Sequence, residues 1–364
     1  VCAWRLQKQR LTDRLPRERI LDAARELCGV HAQVMSCAEI ALANRVDGLK
    51  VQDVRTAINE QRSLVKTWAM RGTLHLFTAD DLPLYVAGLR ARSKHWGPQM
   101  LEILKVTDEE VEATVEAIHA ALDGRRLLRE ELAAEVLRIT ENEKMRDIVL
   151  SGWGSLPKIA ALRGYLCFGP NEGRNVTFVR PEQWLGKWRE VPEDNAYREL
   201  LKRYLAAHGP SSVDDLARWW GVSTPEMRSR LKLLEGELQP VEVEGYKALA
   251  LPESVEEMKE ASGDGSVHLL PDFDAYTVLV GRQIDRLMPG PYKSLIYRKS
   301  AWITPALILD GRFIGIWSHE VRKKTLKVSV EPWVPLNAKV KRGIAREGER
   351  LGAFLGCESE VAYA

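Results

Sequence analysis

Two side chains able to share a water stand two residues apart, His31 and Gln33, on either side of Ala32. An imidazole titrates near neutrality and can accept or return a proton. A glutamine carbonyl is a poor base, but it can orient a water by hydrogen bonding. At alternate positions of an extended segment, the two side chains would point the same way. From these residues alone, a helix-capping or core imidazole beside a helix-entry amide is the more ordinary reading.

The rest of the chain offers little competing chemistry. Its seven histidines are dispersed, and no HxxxH or HxH spacing occurs. The five cysteines form no CxxC pair, so neither a thiolate zinc site nor a disulfide framework is expected. No GxSxG elbow and no phosphate loop is present. Asp80, Asp81, Asp214 and Asp215 read as helix caps and first-turn acids. Asp272 and Asp274, flanking Phe273, read as loop acids that bond nearby backbone in an Asx-turn. No metal and no cofactor is therefore expected.

No run of about 18 apolar residues occurs, and the first residues have no apolar signal core. The expectation is a cytoplasmic protein that meets neither membrane nor secretion machinery. The net charge is only +2, but its distribution is uneven. Lys8, Arg10, Arg14, Arg17 and Arg19 crowd the start, and nine Lys and Arg residues lie between 322 and 350. Any one run reads as a solvated face, whereas the asymmetry suggests one basic side.

The elements that must position these residues follow a repeated plan. Apolar spacing predicts helices over 18–28, 36–46 and 51–61, the second capped by Ser36 with Glu39 three residues on. A hairpin of 64–68 and 73–77 follows, broken at Arg71-Gly72. Helices over 109–122, 128–139 and 156–162 then precede a hairpin of 164–168 and 175–179, whose loop holds Gly, Pro and Asn. After a linker at 181–192, helices at 197–207 and 214–220 and one opening at Ser223-Thr224-Pro225 lead to strands 238–243 and 246–251. Ser212 with Asp215 is cap-like, and the short Gly221 turn between helices is a helix-turn-helix sign. From His268 onward strands are expected at 277–280, 301–303, 306–309, 313–317 and 325–330, with Asp310-Gly311 as a tight turn, and then a basic helix over 336–354.

The expected fold class is α+β, with three tandem winged helix-turn-helix units plus a small C-terminal β-barrel in a curved body. Unit boundaries fall at 1–105, 106–190, 191–262 and 263–364. Nothing requires an oligomer, so a monomer is expected.

Several strings, in this order, resemble the AlkZ/YcaQ-type winged-helix DNA glycosylases over nearly the whole chain. They are Gln9-Arg10-Leu11, Gly29-Val30-His31-Ala32-Gln33, Thr67 to His75, Phe168-Gly169-Pro170 with Phe178-Val179-Arg180, His208-Gly209-Pro210 with Asp215 to Trp219, and Leu270 to Tyr276. The resemblance implies a monofunctional glycosylase that removes alkylated purines, N7 or N3 adducts, from double-stranded DNA. Bulky adducts and interstrand crosslinks are possible substrates. It places the catalytic pair at His31 and Gln33, a His-Φ-Gln variant of the family's Gln-Φ-Gln motif.

The chemistry agrees with that placement. Breaking an N-glycosidic bond builds positive charge on the sugar, so a positioned water and nearby acceptors suffice when the leaving purine is already cationic. Arg71 and His75 on the first wing read as phosphate contacts or pocket wall. Arg174, at the tip of the second wing, reads as a groove contact. Arg180, Arg298, Lys299, Arg322, Lys323 and Lys324 read as phosphate contacts that act through counterion release. The alternative from the fold is a non-enzymatic DNA-binding regulator, since most winged helices are that.

Overall fold

The computed structural model describes residues 1–90, 98–152 and 154–364. Helices and strands are mixed, and the chain divides into two compact units. One comprises Val1–Arg55 with Leu201–Ala364, the other Thr56–Leu200.

In the unit Thr56–Leu200, strands Leu64–Trp68 and Leu74–Thr78 pair antiparallel, with Trp68 opposite Leu74. Arg71 and Gly72 turn the chain between them, both with positive φ, at 57° and 69°. After the helices Leu82–Leu89 and Pro98–Leu104 come Asp108–Ala121, Arg129–Thr140, Glu143–Leu150 and Ser155–Leu162, followed by the hairpin Cys167–Glu172 and Asn175–Val179. Thr107 starts the helix Asp108–Ala121 with a full capping box to Glu110. The core gathers Trp68, Leu132, Leu156, Leu166, Phe168 and Phe178. Trp68 lies 4.7 Å from Phe168, ring to ring. Gly154 is required twice over: its φ is +61°, and a Cβ there would come within 2.9 Å of the Trp68 ring. The helix Glu143–Leu150 was not expected, because its charged sequence hides a short apolar stripe of Met145, Ile148 and Val149.

In the other unit, helices Cys2–Lys8, Ile20–Glu26 and Met35–Ala43 come first. Ser36 does not cap the third, which starts after an extended Val34 that makes no side-chain cap. Glu39 does not reach back to the helix start either: it is buried and bonds Arg55 at 3.0 Å. After Leu201 the capping reading holds. Ser212 and Asp215 form a capping box for Val213–Trp220, and Ser223 caps Thr224–Leu231 with Pro225 in its first turn. Strands Gln239–Val243 and Tyr246–Ala250 then pair antiparallel.

The expected C-terminal barrel is not there. Five strands form an open sheet in the order Glu358–Tyr363, Thr325–Pro332, Arg312–Arg322, Ala306–Leu309, Val267–Leu270. Among the described residues, its two edge strands do not pair with each other, so the sheet does not close. The pairing of Thr325–Pro332 with Glu358–Tyr363 is parallel, which a tight turn cannot connect. The helix Ala338–Leu355 makes that crossover and turns Val340, Ile344 and Leu351 into the core. Two expected strands do not form. Residues 277–280 overlap the helix Ala275–Leu279, because Asp274 accepts the Tyr276 amide and starts it. Residues 301–303 leave the tight turn Lys299–Ala301 as irregular chain with one isolated bridge, Tyr297 to Ile303. The Asp310-Gly311 turn is as expected, with φ of 48° and 77° at its two central residues.

Candidate active site

The helix Ile20–Glu26 ends on two left-handed residues, Cys28 (φ 57°) and Gly29 (φ 94°). The Gly29 amide closes back on the Ala24 carbonyl at 3.2 Å. Val30 and His31 then run extended into the helix Met35–Ala43. Along the segment the His31 side chain is half-buried, Ala32 fully buried and Gln33 exposed. The strand ends at His31, and Gln33 lies in the bend that leads to the helix.

Residues far away in sequence brace the turn just before this loop. His208 is buried, and its Nε2 lies 3.1 Å from the Leu27 carbonyl. A carbonyl only accepts, so Nε2 carries the proton and Nδ1 accepts from the Gln9 amide at 3.0 Å. Burial drives the His208 pKa down to about 4, which keeps the ring neutral. Arg5, buried, donates to the Gly209 and Pro210 carbonyls, both at 2.9 Å. Two of the strings that carried the family resemblance, Gln9-Arg10-Leu11 and His208-Gly209-Pro210, therefore meet at the turn before the loop.

The His31 ring stacks on Phe273, with centroids 5.0 Å apart and planes 13° apart. Phe273 sits at a φ of 59°, a conformation that costs a bulky residue energy and needs external support. The support comes from Asp274. Its amide bonds the Pro271 carbonyl at 3.3 Å, and its carboxylate accepts the Tyr276 amide at 2.9 Å. Both Asp274 oxygens also take the Arg45 guanidinium at 2.8 Å, with both side chains fully buried. Arg45 lies just past the helix Met35–Ala43, so one buried ion pair ties that helix to the Phe273 turn.

Beyond Phe273, Trp302 meets the ring edge-on at 4.9 Å and 68°. The indole N–H donates to Asp272 Oδ1 at 2.8 Å, and the other Asp272 oxygen faces the Cys37 thiol at 3.6 Å. Burial, and then the Asp272 charge, push the Cys37 pKa up to about 12. Cys37 is therefore a neutral thiol and no nucleophile. Asp272 also walls an open groove of about 460 Å³ shared with Arg298, Thr304, Trp317, His319 and Glu331. Desolvation lowers the pKa of the His319 imidazole, and Asp272 opposes that shift. Among the described residues, no group of three or more His, Cys, Asp or Glu could hold a metal ion.

The residues read as DNA contacts scatter. Arg298 and Lys299 are exposed, and the Arg298 Nε also bonds Thr304 at 2.9 Å. Arg322, Lys323 and Lys324 are exposed at the tip of the hairpin Arg312–Arg322 and Thr325–Pro332. Arg174 is exposed on its own hairpin tip, and Arg71 is half-buried in its turn. Two of these residues are too buried to meet a phosphate, although a buried His75 could still form a pocket wall. His75 is only 3% exposed, with Nδ1 at 3.1 Å from the Thr73 carbonyl. Arg180 turns inward, donating to the His119 carbonyl at 2.7 Å and pairing with Asp123 at 3.0 Å. Sequence reasoning passed over Phe273, Trp302 and Arg45 as site residues. The signal for Phe273 was the string Leu270 to Tyr276, which reads as loop acids around an aromatic; Arg45 and Trp302 lie outside every such string.

A polar site with an imidazole and an amide, no nucleophile and a mixed helix-and-hairpin frame suits a hydrolase that activates water. Comparison with known proteins makes the class specific: residues 24–354 match the AlkZ-like DNA glycosylase family, and the chain belongs to it. It is 36% identical over 323 residues to an interstrand DNA cross-link repair glycosylase of Streptomyces sahachiroi, covering 87% of this chain and 86% of that protein. The solved structure of Streptomyces sahachiroi DNA glycosylase AlkZ superposes with a TM-score of 0.89 at 31% identity, over 100% of this chain and 98% of that one. The chain is thus a DNA glycosylase, a hydrolase of N-glycosyl bonds that binds DNA and acts in its repair. The regulator alternative falls away.

Proposed function

We propose that the chain excises purines alkylated at N7 or N3 from double-stranded DNA, bulky adducts and interstrand crosslinks included, as a His-Φ-Gln member of its family. The observation that carries this reading is the loop itself: an exposed Gln33 and a half-buried His31 flank a buried Ala32, with the imidazole held flat against Phe273. Gln33 orients a water toward the anomeric carbon. The water oxygen bonds to that carbon as the carbon–nitrogen bond breaks. The bonding pair returns to the purine and cancels its positive charge, and His31 takes the proton that the water gives up. No Schiff-base lysine is needed, and the product is an abasic site. The name of the Streptomyces relative supports crosslinks as substrates.

The three helix-then-hairpin segments are, in this reading, three winged helix-turn-helix units. Arg71, Arg174, Arg298, Lys299, Arg322, Lys323 and Lys324 contact phosphates. The protein works as a monomer beside chromosomal DNA.

The test is direct. Duplex carrying N7-methylguanine is incubated with the protein and heated in alkali to break abasic sites. Wild type should give strand breaks, and Gln33→Ala and His31→Ala should each slow base release by about 10² or more. Full excision by Gln33→Ala would remove Gln33 from the mechanism. No breaks with any alkylated duplex would refute the proposed substrate.

A further inference from the structure

We propose that the indole of Trp302 is the stacking surface for the alkylated purine, oriented for that task by Asp272. The inference rests on the reading of this site as one for cationic purines, and it assigns the group that recognises the charge.

Trp302 is 43% exposed, one of few large apolar side chains left in water among the described residues. The exposure is built into the loop. Ser300 and Ala301, immediately before it, both take left-handed φ values of 60° and 58°, which non-glycine residues adopt at a cost. The Trp302 carbonyl accepts the Arg298 amide at 2.8 Å, and the next carbonyl, of Ile303, accepts the Phe273 amide at 3.3 Å. The loop that presents Trp302 is therefore bonded to the turn on which His31 stacks. Its only polar atom is satisfied inward by Asp272, so the indole needs nothing further from a ligand except contact with its rings.

Alkylation at N7 or N3 makes a purine a flat cation. Of the aromatic side chains, tryptophan attracts a cation over its face most strongly. A carboxylate accepting the indole N–H draws that proton away and enriches the ring in electrons. Hydrolysis leaves the purine neutral, so the attraction fades on the product and favours its release. Stacking of a base on an aromatic side chain is worth about 5- to 150-fold in affinity.

The experiment compares wild type, Trp302→Phe and Trp302→Leu on three duplexes: one with N7-methylguanine, one with an uncharged modified purine and one undamaged. Binding and single-turnover base release are both measured, and circular dichroism checks that each variant is folded. Trp302→Leu should lose about 10-fold or more of the preference for N7-methylguanine over undamaged duplex, and Trp302→Phe, which keeps a ring but not the bond to Asp272, should lose part of it. The loss should be larger for the cationic lesion than for the uncharged one. Asp272→Asn should lower the cationic-over-uncharged preference in the same direction. An unchanged lesion preference in Trp302→Leu overturns the assignment. So does an equal loss on all three duplexes, which would make the indole a general DNA contact. In both cases wild type still excises and the functional reading stands; failure of wild type to release any base removes that reading and this assignment together.

Discussion

Asp274 shows how much one side chain can set. It starts the helix Ala275–Leu279, next to Phe273, and holds Arg45 through two 2.8 Å contacts at full burial. Removing one partner of a buried pair leaves the other charge in a medium that solvates it poorly, at a cost of about 3–5 kcal/mol. Asp274→Ala should therefore lower the urea midpoint sharply. Replacing both partners by apolar residues of similar size, Arg45→Met with Asp274→Leu, should recover part of the loss. Base release by folded Asp274→Ala should also slow, since the buried pair with Arg45 is what ties the Phe273 turn to the helix Met35–Ala43. A urea midpoint equal to wild type would end this account of the turn. Here the sequence was legible in one respect only. The spacing of Asp274 suggested a bond to local backbone, and it makes one. Its second partner lies 229 residues away in the chain, and no local pattern reports a contact at that separation.

Elements were legible wherever a local rule decides them. Ser212 with Asp215, Ser223 with Pro225 and Asp310 with Gly311 each end or begin an element within a few bonds of themselves, and each behaves as expected. Ser36 looked the same and is different, because burial of Glu39 against Arg55 outweighs a cap. The β-branched pair Thr277 and Val278 looked like strand, yet one cap at Asp274 makes them helix. Closure of a sheet is decided by which strands become edges, and that is a long-range outcome. The open sheet leaves the hairpin of Arg312–Arg322 and Thr325–Pro332 ending in Arg322, Lys323 and Lys324, three exposed cations in a row. If these contact phosphates, each contact releases counterions and adds about 0.9 to the slope of log affinity against log salt. The triple variant Arg322→Gln, Lys323→Gln, Lys324→Gln should flatten that slope by about 2–3, with base release at saturating protein within about 3-fold of wild type. Titrations at several salt concentrations read the slope, and an unchanged slope would place the phosphate contacts elsewhere. Glu320, bonded to Arg322 at 2.9 Å, would then be its resting partner and not one displaced by DNA.

At the scale of the whole molecule, two buried imidazoles make folding sensitive to acid. His208 and His268 are each only 3% exposed. Burial lowers their pKa values from 6.5 to about 4 and about 3 respectively. Arg14, Arg45 and Arg350 near His268 lower it further, and Asp264 opposes them. In the unfolded chain both rings protonate near pH 6.5, while in the folded chain they stay neutral far below it. Stability is thus complete above about pH 6.5, falls as the pH drops through 6 and 5, and stops falling on this account only below about 4 for His208 and about 3 for His268. Each pKa unit of difference is worth about 1.4 kcal/mol, so the two rings together account for several kcal/mol. They differ in one respect that a mutation can use. His208 bonds Gln9 and Leu27, whereas neither ring nitrogen of His268 has a hydrogen-bond partner among the described residues. Replacing His268 with leucine removes a buried polar group that has no partner to lose. His268→Leu should be at least as stable as wild type at pH 7, and its urea midpoint should fall less than that of wild type between pH 7 and pH 5. Equal falls in the two proteins would show that His268 does not drive the acid response. Both rings belong to the unit formed by Val1–Arg55 and Leu201–Ala364. Hydrogen exchange followed from pH 7 to pH 5 should therefore show protection falling first in that unit, which also carries His31, Gln33 and Trp302, so base release should decline over the same range.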